Sequence, residues 1–122
     1  MARAKALMGS GFSAGQANGI CERGAVTATG SSSQANGKLL SYAVNDVTTA
    51  SGADSVVLPT VAQGSQPGDF VTVTVETSTT GKLYPGGSET INGSTSAVDV
   101  AQHKTAFLVR SSSTNWGLTI TA

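Results

Sequence analysis

The sequence predicts a mainly β protein: an antiparallel β-sandwich or barrel of jelly-roll type with a short N-terminal helical arm. Three observations lead there. From Gly24 onward, apolar and polar residues alternate in short runs, the period that turns one face of a strand inward and the other toward water. Clusters of Gly, Ser, Asn and Pro separate those runs at short spacing, as they do in sandwiches and barrels. The composition is also that of a thin β fold, with 15 glycines, 16 Ser and 16 Thr among 122 residues and only 11% charged side chains. So little charge argues against a disordered chain, and so much Gly and Ser argues against a helical globule.

The arm comes first. Residues 2–23, ARAKALMGSGFSAGQANGICER, cluster Ala, Lys, Leu, Met and Gln and hold almost no β-branched residue, so this is the one helical candidate. ARAKALM favours a first turn or two, GSG at 9–11 interrupts it, and Ser13 is placed to cap a second short helix. Gly15 and Gly19 inside that second helix each cost about 1 kcal/mol relative to Ala, so the helix needs a surface to pack on. Leu7, Met8, Phe12, Ala17 and Ile20 supply its apolar side. They either cover one end of the protein's own β domain or dock on a neighbouring subunit. The expected division is an arm over 1–23 and a β domain over 24–122.

In the β domain the clearest strand is FVTVTVET, 70–77, with Val71, Val73 and Val75 on one face and Thr72, Thr74 and Glu76 on the other. TAFLVR at 105–110 sets Phe107 and Val109 against Ala106, Leu108 and Arg110, which suits a strand partly covered on both sides, and WGLTIT at 116–121 closes the sheet. Weaker strands are expected at 25–29, 38–44, 55–59, 81–85 and 96–101, with ATGSSSQANGK as a hinge between arm and sheet. In YPGGSETING, Pro85-Gly86 suggests the centre of a type II turn, and Asn92-Gly93 suggests a type I′ hairpin. Ile91 lies between them as the single large apolar plug.

Chemistry is sparse. His103 is the only histidine and has no Cys or acidic partner at metal-ligand spacing, so no metal site is expected. Cys21 is alone, which excludes an intramolecular disulfide and points to folding in a reducing compartment. The seven acids, Glu22, Asp46, Asp54, Asp69, Glu76, Glu89 and Asp99, are scattered so that no pair is favoured as general acid and base. Asp46 in VNDV and Asp69 after QPG read as turn residues. GSGFSAG lacks the Lys-Ser/Thr ending of a phosphate loop. The expectation is a protein that is not an enzyme and holds no cofactor.

Formal net charge is zero, with seven basic and seven acidic residues, so nothing in the bulk charge recruits nucleic acid or an anionic membrane. No apolar run approaches a membrane span, and MARAKALMGSGF has no continuous apolar core of an export signal. Few charges and few bulky apolar side chains favour association with other chains, because an isolated sheet face of Ala, Gly, Ser and Thr buries little area. Trp116, Tyr42 and Tyr84 could form a sugar-stacking platform, but in a chain this poor in bulky side chains they are expected as core and interface filler.

Two stretches carry a resemblance. AKALMGSGFSAGQANGI, 4–20, resembles the short helix, glycine turn and second helix that open a family of tailed-bacteriophage head decoration, head fibre or cement proteins. LYPGGSETINGSTSAVDVAQHKTAFLVRSSSTNWGL, 83–118, is similar to that family's β module, with Tyr84, Pro85, Gly87, Ile91, Asn92, Gly93 and Trp116 at the matching positions. The resemblance implies a structural virion protein, a homotrimer on the capsid surface that reinforces contacts between major capsid protein subunits and is made in the host cytoplasm. Leu7, Met8, Phe12, Ile20, Tyr84 and Trp116 are then the candidate partner or subunit contacts. The same β module occurs in phage tail-fibre and baseplate-associated proteins, so the alternative is a carbohydrate- or receptor-binding module.

Overall fold

The computed structural model describes residues 23–30, 33–77 and 79–121. The helical arm expected over 1–23 falls, apart from Arg23, outside the described residues. Arg23 itself opens a strand.

The protein is mainly β, and its chain passes back and forth between two sheets. Strand β1 (Arg23–Thr27) lies in the first sheet, β2 (Lys38–Leu39) in the second, β3 (Val44–Thr48) in the first and β4 (Ser55–Val57) in the second. Strands β5 (Phe70–Val75) and β6 (Gly81–Tyr84) repeat the pattern, after a single 3₁₀ turn at Val61–Gln63. Each strand pairs in parallel with its counterpart one coil later. Arg23 sits opposite Val44, 21 positions on, and Val44 opposite Thr72, 28 positions further. In the second sheet, β2 pairs with β4 and β4 with β6 in the same sense. This is a short β-solenoid of three coils.

The remaining strands close one end. β7 (Thr90–Ile91) lies parallel to β10 (Asn115–Ile120), β8 (Val98–Val100) runs antiparallel to β6, and β9 (Thr105–Arg110) runs antiparallel to both β5 and β10. β8 and β9 therefore reverse direction, while β7 and β10 keep that of β5. The orders are β1-β3-β5-β9-β10-β7 in the first sheet and β2-β4-β6-β8 in the second.

The expected antiparallel sandwich of jelly-roll type is therefore corrected in its pairing. Parallel partners need long connections, and here the connection is a strand in the opposite sheet, which alternation within a strand does not reveal. Asp46 in VNDV, expected as a turn residue, lies in β3, and Lys38–Val44, expected as one strand, is split between the two sheets. The stretch read as a hinge between arm and sheet lies after β1 and joins it to β2 inside the first coil.

The core lies between the sheets. Register stacks Val26, Val47 and Val75 one above another, and β5, β9 and β10 bring Val71 beside Leu108 and Leu108 beside Leu118. Leu40, Leu58, Leu83, Val56 and Val100 fill the other side. Each such side chain, fully buried, contributes about 1.5–3 kcal/mol before the entropy of ordering the chain is set against it. The expected inward face of β5 is the observed one: Val71, Val73 and Val75 are buried.

The turns divide. Asn92 and Gly93 both have positive φ, 49° and 81°, and the Ile91 and Ser94 backbones exchange hydrogen bonds of 2.8 and 3.0 Å, which is the expected two-residue hairpin with Ile91 buried. Pro85-Gly86 is not the centre of a type II turn. The positive φ, 55°, belongs to Gly87, and the Glu89 N–H closes on the Gly86 carbonyl. Gly86 serves a different need, since a Cβ there would stand 2.6 Å from the Leu58 carbonyl oxygen.

Candidate functional site

Two features of the described surface are candidates for function, and one buried hub shapes both. The first is a groove where the chain passes from the second sheet to the first. It does so once over residues 40–43, between β2 and β3, and again over 58–69, between β4 and β5. The earlier passage is short and tightly held: the Leu40 N–H donates to the Val57 carbonyl, and the buried Asn45 side chain donates to the carbonyls of Tyr42 (2.8 Å) and Thr72 (3.1 Å). The later passage is longer and stands out as a wall. The Thr60 N–H donates to Gln63 Oε1 at 2.9 Å, and the 3₁₀ turn ends on Gly64 with φ 101°. Asp69 then ties the wall's foot, its carboxylate accepting from the Gln66 N–H (2.8 Å) and the Ser65 hydroxyl (3.1 Å). Asp69 was expected as a turn residue, and it is one.

Between floor and wall the groove encloses about 870 Å³, within the size range of ligand-binding clefts. Leu39 and Tyr42 stand on one side and Phe70 on another, exposed to 42%, 38% and 48%. Trp116 contributes to the lining although it is fully buried. Asp69 is the sole charged residue among the described ones that line it.

The second feature is the outer face of the first sheet. Register sets Phe70 beside Val109 and Val109 beside Gly117, while Phe107 lies between Thr72 and Thr119. Phe107 and Val109 are 49% and 51% exposed. Together with Phe70 they make an apolar patch flanked by threonine hydroxyls. Their exposure is a consequence of the alternation in TAFLVR, which commits Ala106, Leu108 and Arg110 inward.

The hub is Arg110, whose side chain is fully enclosed. Its guanidinium donates to Glu89 Oε1 at 2.8 Å, to the Pro59 carbonyl at 2.8 Å, to the Ser65 hydroxyl at 2.8 Å and to the carbonyls of Ser112 and Ser113. It also lies over the Trp116 ring, 4.6 Å from the centroid, a desolvated cation–π contact. Glu89 uses its other oxygen to accept the Val61 N–H at 3.0 Å. One ion pair thus fastens the groove wall, the turn before β7 and the β9–β10 hairpin together. A buried charge pair is tolerated only when its remaining donors and acceptors are satisfied, and here they are.

Of the sequence-derived candidates, Leu7, Met8, Phe12 and Ile20 lie outside the described residues. Tyr84 is half-buried at the end of β6, and Trp116 is enclosed beneath Arg110. His103 is exposed in a turn with φ 61°. Among the described residues no group of three or more His, Cys, Asp or Glu side chains is close enough to hold a metal ion, and no helix is long and apolar enough to cross a membrane. Sequence reasoning passed over Arg110 and Glu89, which are 21 positions apart; the inward parity of Arg110 with Ala106 and Leu108 was the available signal. No protein-family model, curated protein or solved structure matches the chain.

Proposed function

We propose that this protein is a structural component of a tailed-bacteriophage virion. In this reading it is a decoration or cement protein that sits on the capsid as a homotrimer and reinforces contacts between major capsid protein subunits. The observation that supports this most directly is the outer face of the first sheet, where Phe70, Phe107 and Val109 form an uncharged apolar patch on a body whose buried ionic pair is fully occupied in holding loops. A contiguous apolar patch of this kind marks a protein contact more often than plain surface. The stretch from Tyr84 to Trp116 that carries the family resemblance also has a defined mechanical task, since it builds the Asn92-Gly93 hairpin and the antiparallel end on which the patch is mounted.

The test is binding of the purified protein to purified heads that lack it. Saturation at a stoichiometry set by the capsid lattice is expected, together with loss of binding in Phe107→Asp and Val109→Asp, both of which leave the core intact. Binding to host cells or glycans with no binding to heads would overturn the proposal in favour of a receptor-binding module.

A further inference from the structure

Asn-Gly pairs stand at 18–19, 36–37 and 92–93, and in each a side-chain amide precedes the least hindered backbone nitrogen a chain can offer. Asn18-Gly19 lies outside the described residues. At the other two pairs the asparagine is exposed in a turn, yet the structure treats the two in opposite ways.

Asn92-Gly93 is locked. Asn92 Oδ1 accepts the Leu118 N–H at 3.0 Å and its Nδ2 donates to the Leu118 carbonyl at 3.3 Å, so β10 engages the amide at both ends. The Gly93 N–H donates in turn to Asn115 Oδ1 at 3.0 Å. Asn36-Gly37 has no such restraint. Among the described residues none hydrogen-bonds the Asn36 side chain or accepts the Gly37 N–H, and the contact at Asn36 is through its main-chain carbonyl, which accepts the Thr29 hydroxyl at 2.9 Å. Glycine is also obligatory there, since a Cβ at 37 would stand 2.6 Å from Val57 Cγ2. The fold itself thus keeps an unhindered nitrogen behind an exposed, unheld amide.

We propose that Asn36-Gly37 is a site of spontaneous covalent modification, where the chain deamidates itself and the product loosens the turn lying on the second sheet. The Gly37 nitrogen gives its proton to solvent and bonds to Asn36 Cγ, the Cγ–Nδ2 bond breaks, and Nδ2 leaves as ammonia, closing a five-membered imide. Water then adds to one imide carbonyl. Breaking the bond from Cγ to nitrogen leaves aspartate, and breaking the bond from the main-chain carbonyl carbon leaves isoaspartate. Side-chain amide plus water becomes carboxylate plus ammonium, with no change of oxidation state.

The turn has something to lose. Gln34 donates to the Pro85 and Gly87 carbonyls, and Gly37 packs on Val57 just before Lys38 and Leu39 pair with Val56 and Val57. Isoaspartate routes the main chain through the side-chain methylene, adding one atom ahead of Gly37 and turning the carbonyl that held Thr29 into a free carboxylate. The register of β2 is disturbed at its first residue, and with it the bond from the Leu40 N–H to the Val57 carbonyl. This inference does not depend on the virion proposal, since it concerns bond chemistry within the isolated chain.

The test ages the full folded chain in mildly alkaline heavy-oxygen water and maps it with trypsin in ordinary water, so that only conversion during ageing carries the heavy label. Cleavage after Arg23, Lys38, Lys82 and Lys104 puts the two described pairs on separate peptides, 24–38 and 83–104. Peptide 24–38 is expected to convert at least about tenfold faster, because Asn92-Gly93 must first give up three hydrogen bonds. In denaturant, where neither pair is held, the two should convert at similar rates. Equal rates in the folded chain, or a difference undiminished by denaturant, would overturn the assignment. In the chromatographically separated isoaspartate form, the Leu40 amide should exchange its hydrogen faster while the amides of β9 and β10 do not. Unchanged protection at Leu40 would overturn the loosening. Asn36→Gln, which would have to close a less favourable six-membered ring, should keep Leu40 protected through the same ageing; loss of protection in that variant too would assign the loosening to another cause.

Discussion

Residues 23–84 and residues 90–120 bury their apolar faces by different means. In the first region, neighbouring strands are parallel and distant in sequence, and the core is a ladder of valines such as Val26, Val47 and Val75, each resting on the coil before it. In the second, β9 and β10 form an antiparallel pair closed by a local turn, and the interior is crowded with Trp116, Leu108 and the Arg110–Glu89 pair. The difference teaches where single changes do most harm. A ladder of small side chains shares its stability among many modest contacts, whereas the closing end concentrates it in a few irreplaceable ones.

The largest effect should come from Glu89→Ala. It strands the enclosed Arg110 guanidinium without its counter-charge, and a loss of about 3–5 kcal/mol is expected in denaturant unfolding. The double change Glu89→Leu with Arg110→Met should recover much of that loss, because an apolar pair of similar volume needs no desolvation of charge. If the double variant is as unstable as the single one, the carbonyl contacts to Pro59, Ser112 and Ser113 matter more than the ion pair.

Val47→Ala sharpens the contrast from the other side. Removing two buried methyl groups from the middle of the ladder should cost about 2–3 kcal/mol, transfer and cavity together. A thermal unfolding experiment in which Val47→Ala proves worse than Glu89→Ala would erase the proposed difference between the two regions.

Gly93→Ala tests the local specification of the second region. Nothing crowds that position, yet its φ of 81° disfavours any side chain, so about 1–2 kcal/mol should be lost by strain alone. Hydrogen exchange at Ile91 and Ser94 reads this directly, since the hairpin hydrogen bonds join those two residues. The smallest effect is expected for Lys82→Ala, which removes a surface ion pair to Asp99 at 2.9 Å. With Asp99 largely exposed, solvent and salt screen the pair, and the midpoint of unfolding should barely move.

Legibility follows the same division. The antiparallel end was readable because its instructions are local: Asn92-Gly93 dictates a two-residue reversal, TAFLVR and WGLTIT carry their own alternation, and Ile91 is the one bulky side chain between two turns. The alternation separated Phe107 and Val109 from Ala106, Leu108 and Arg110, but both faces were expected to be partly covered, so the exposure of the first pair came only with the structure. The groove was not visible in advance either, because Leu39, Tyr42, Gln63 and Phe70 converge only when two separate passages between the sheets are stacked. Asp46 was misread for a related reason. Its residue type favours turns, but β3 is held by partners on both sides, with Asp46 between Ala25 and Thr74.

By itself, the sequence determined that the protein is mainly β, where most strands lie, which face of β5 turns inward, and the form of the Asn92-Gly93 hairpin. Each of these depends on residues within a few positions of one another, where side-chain parity and backbone preference act without help. Only the tertiary structure decided that the strands coil in parallel, that Arg110 meets Glu89, and that Leu39, Tyr42 and Phe70 share a groove. Those outcomes join residues from about 20 to 30 positions apart, and the energy that selects among such pairings comes from burial in a shared core, which no short stretch encodes.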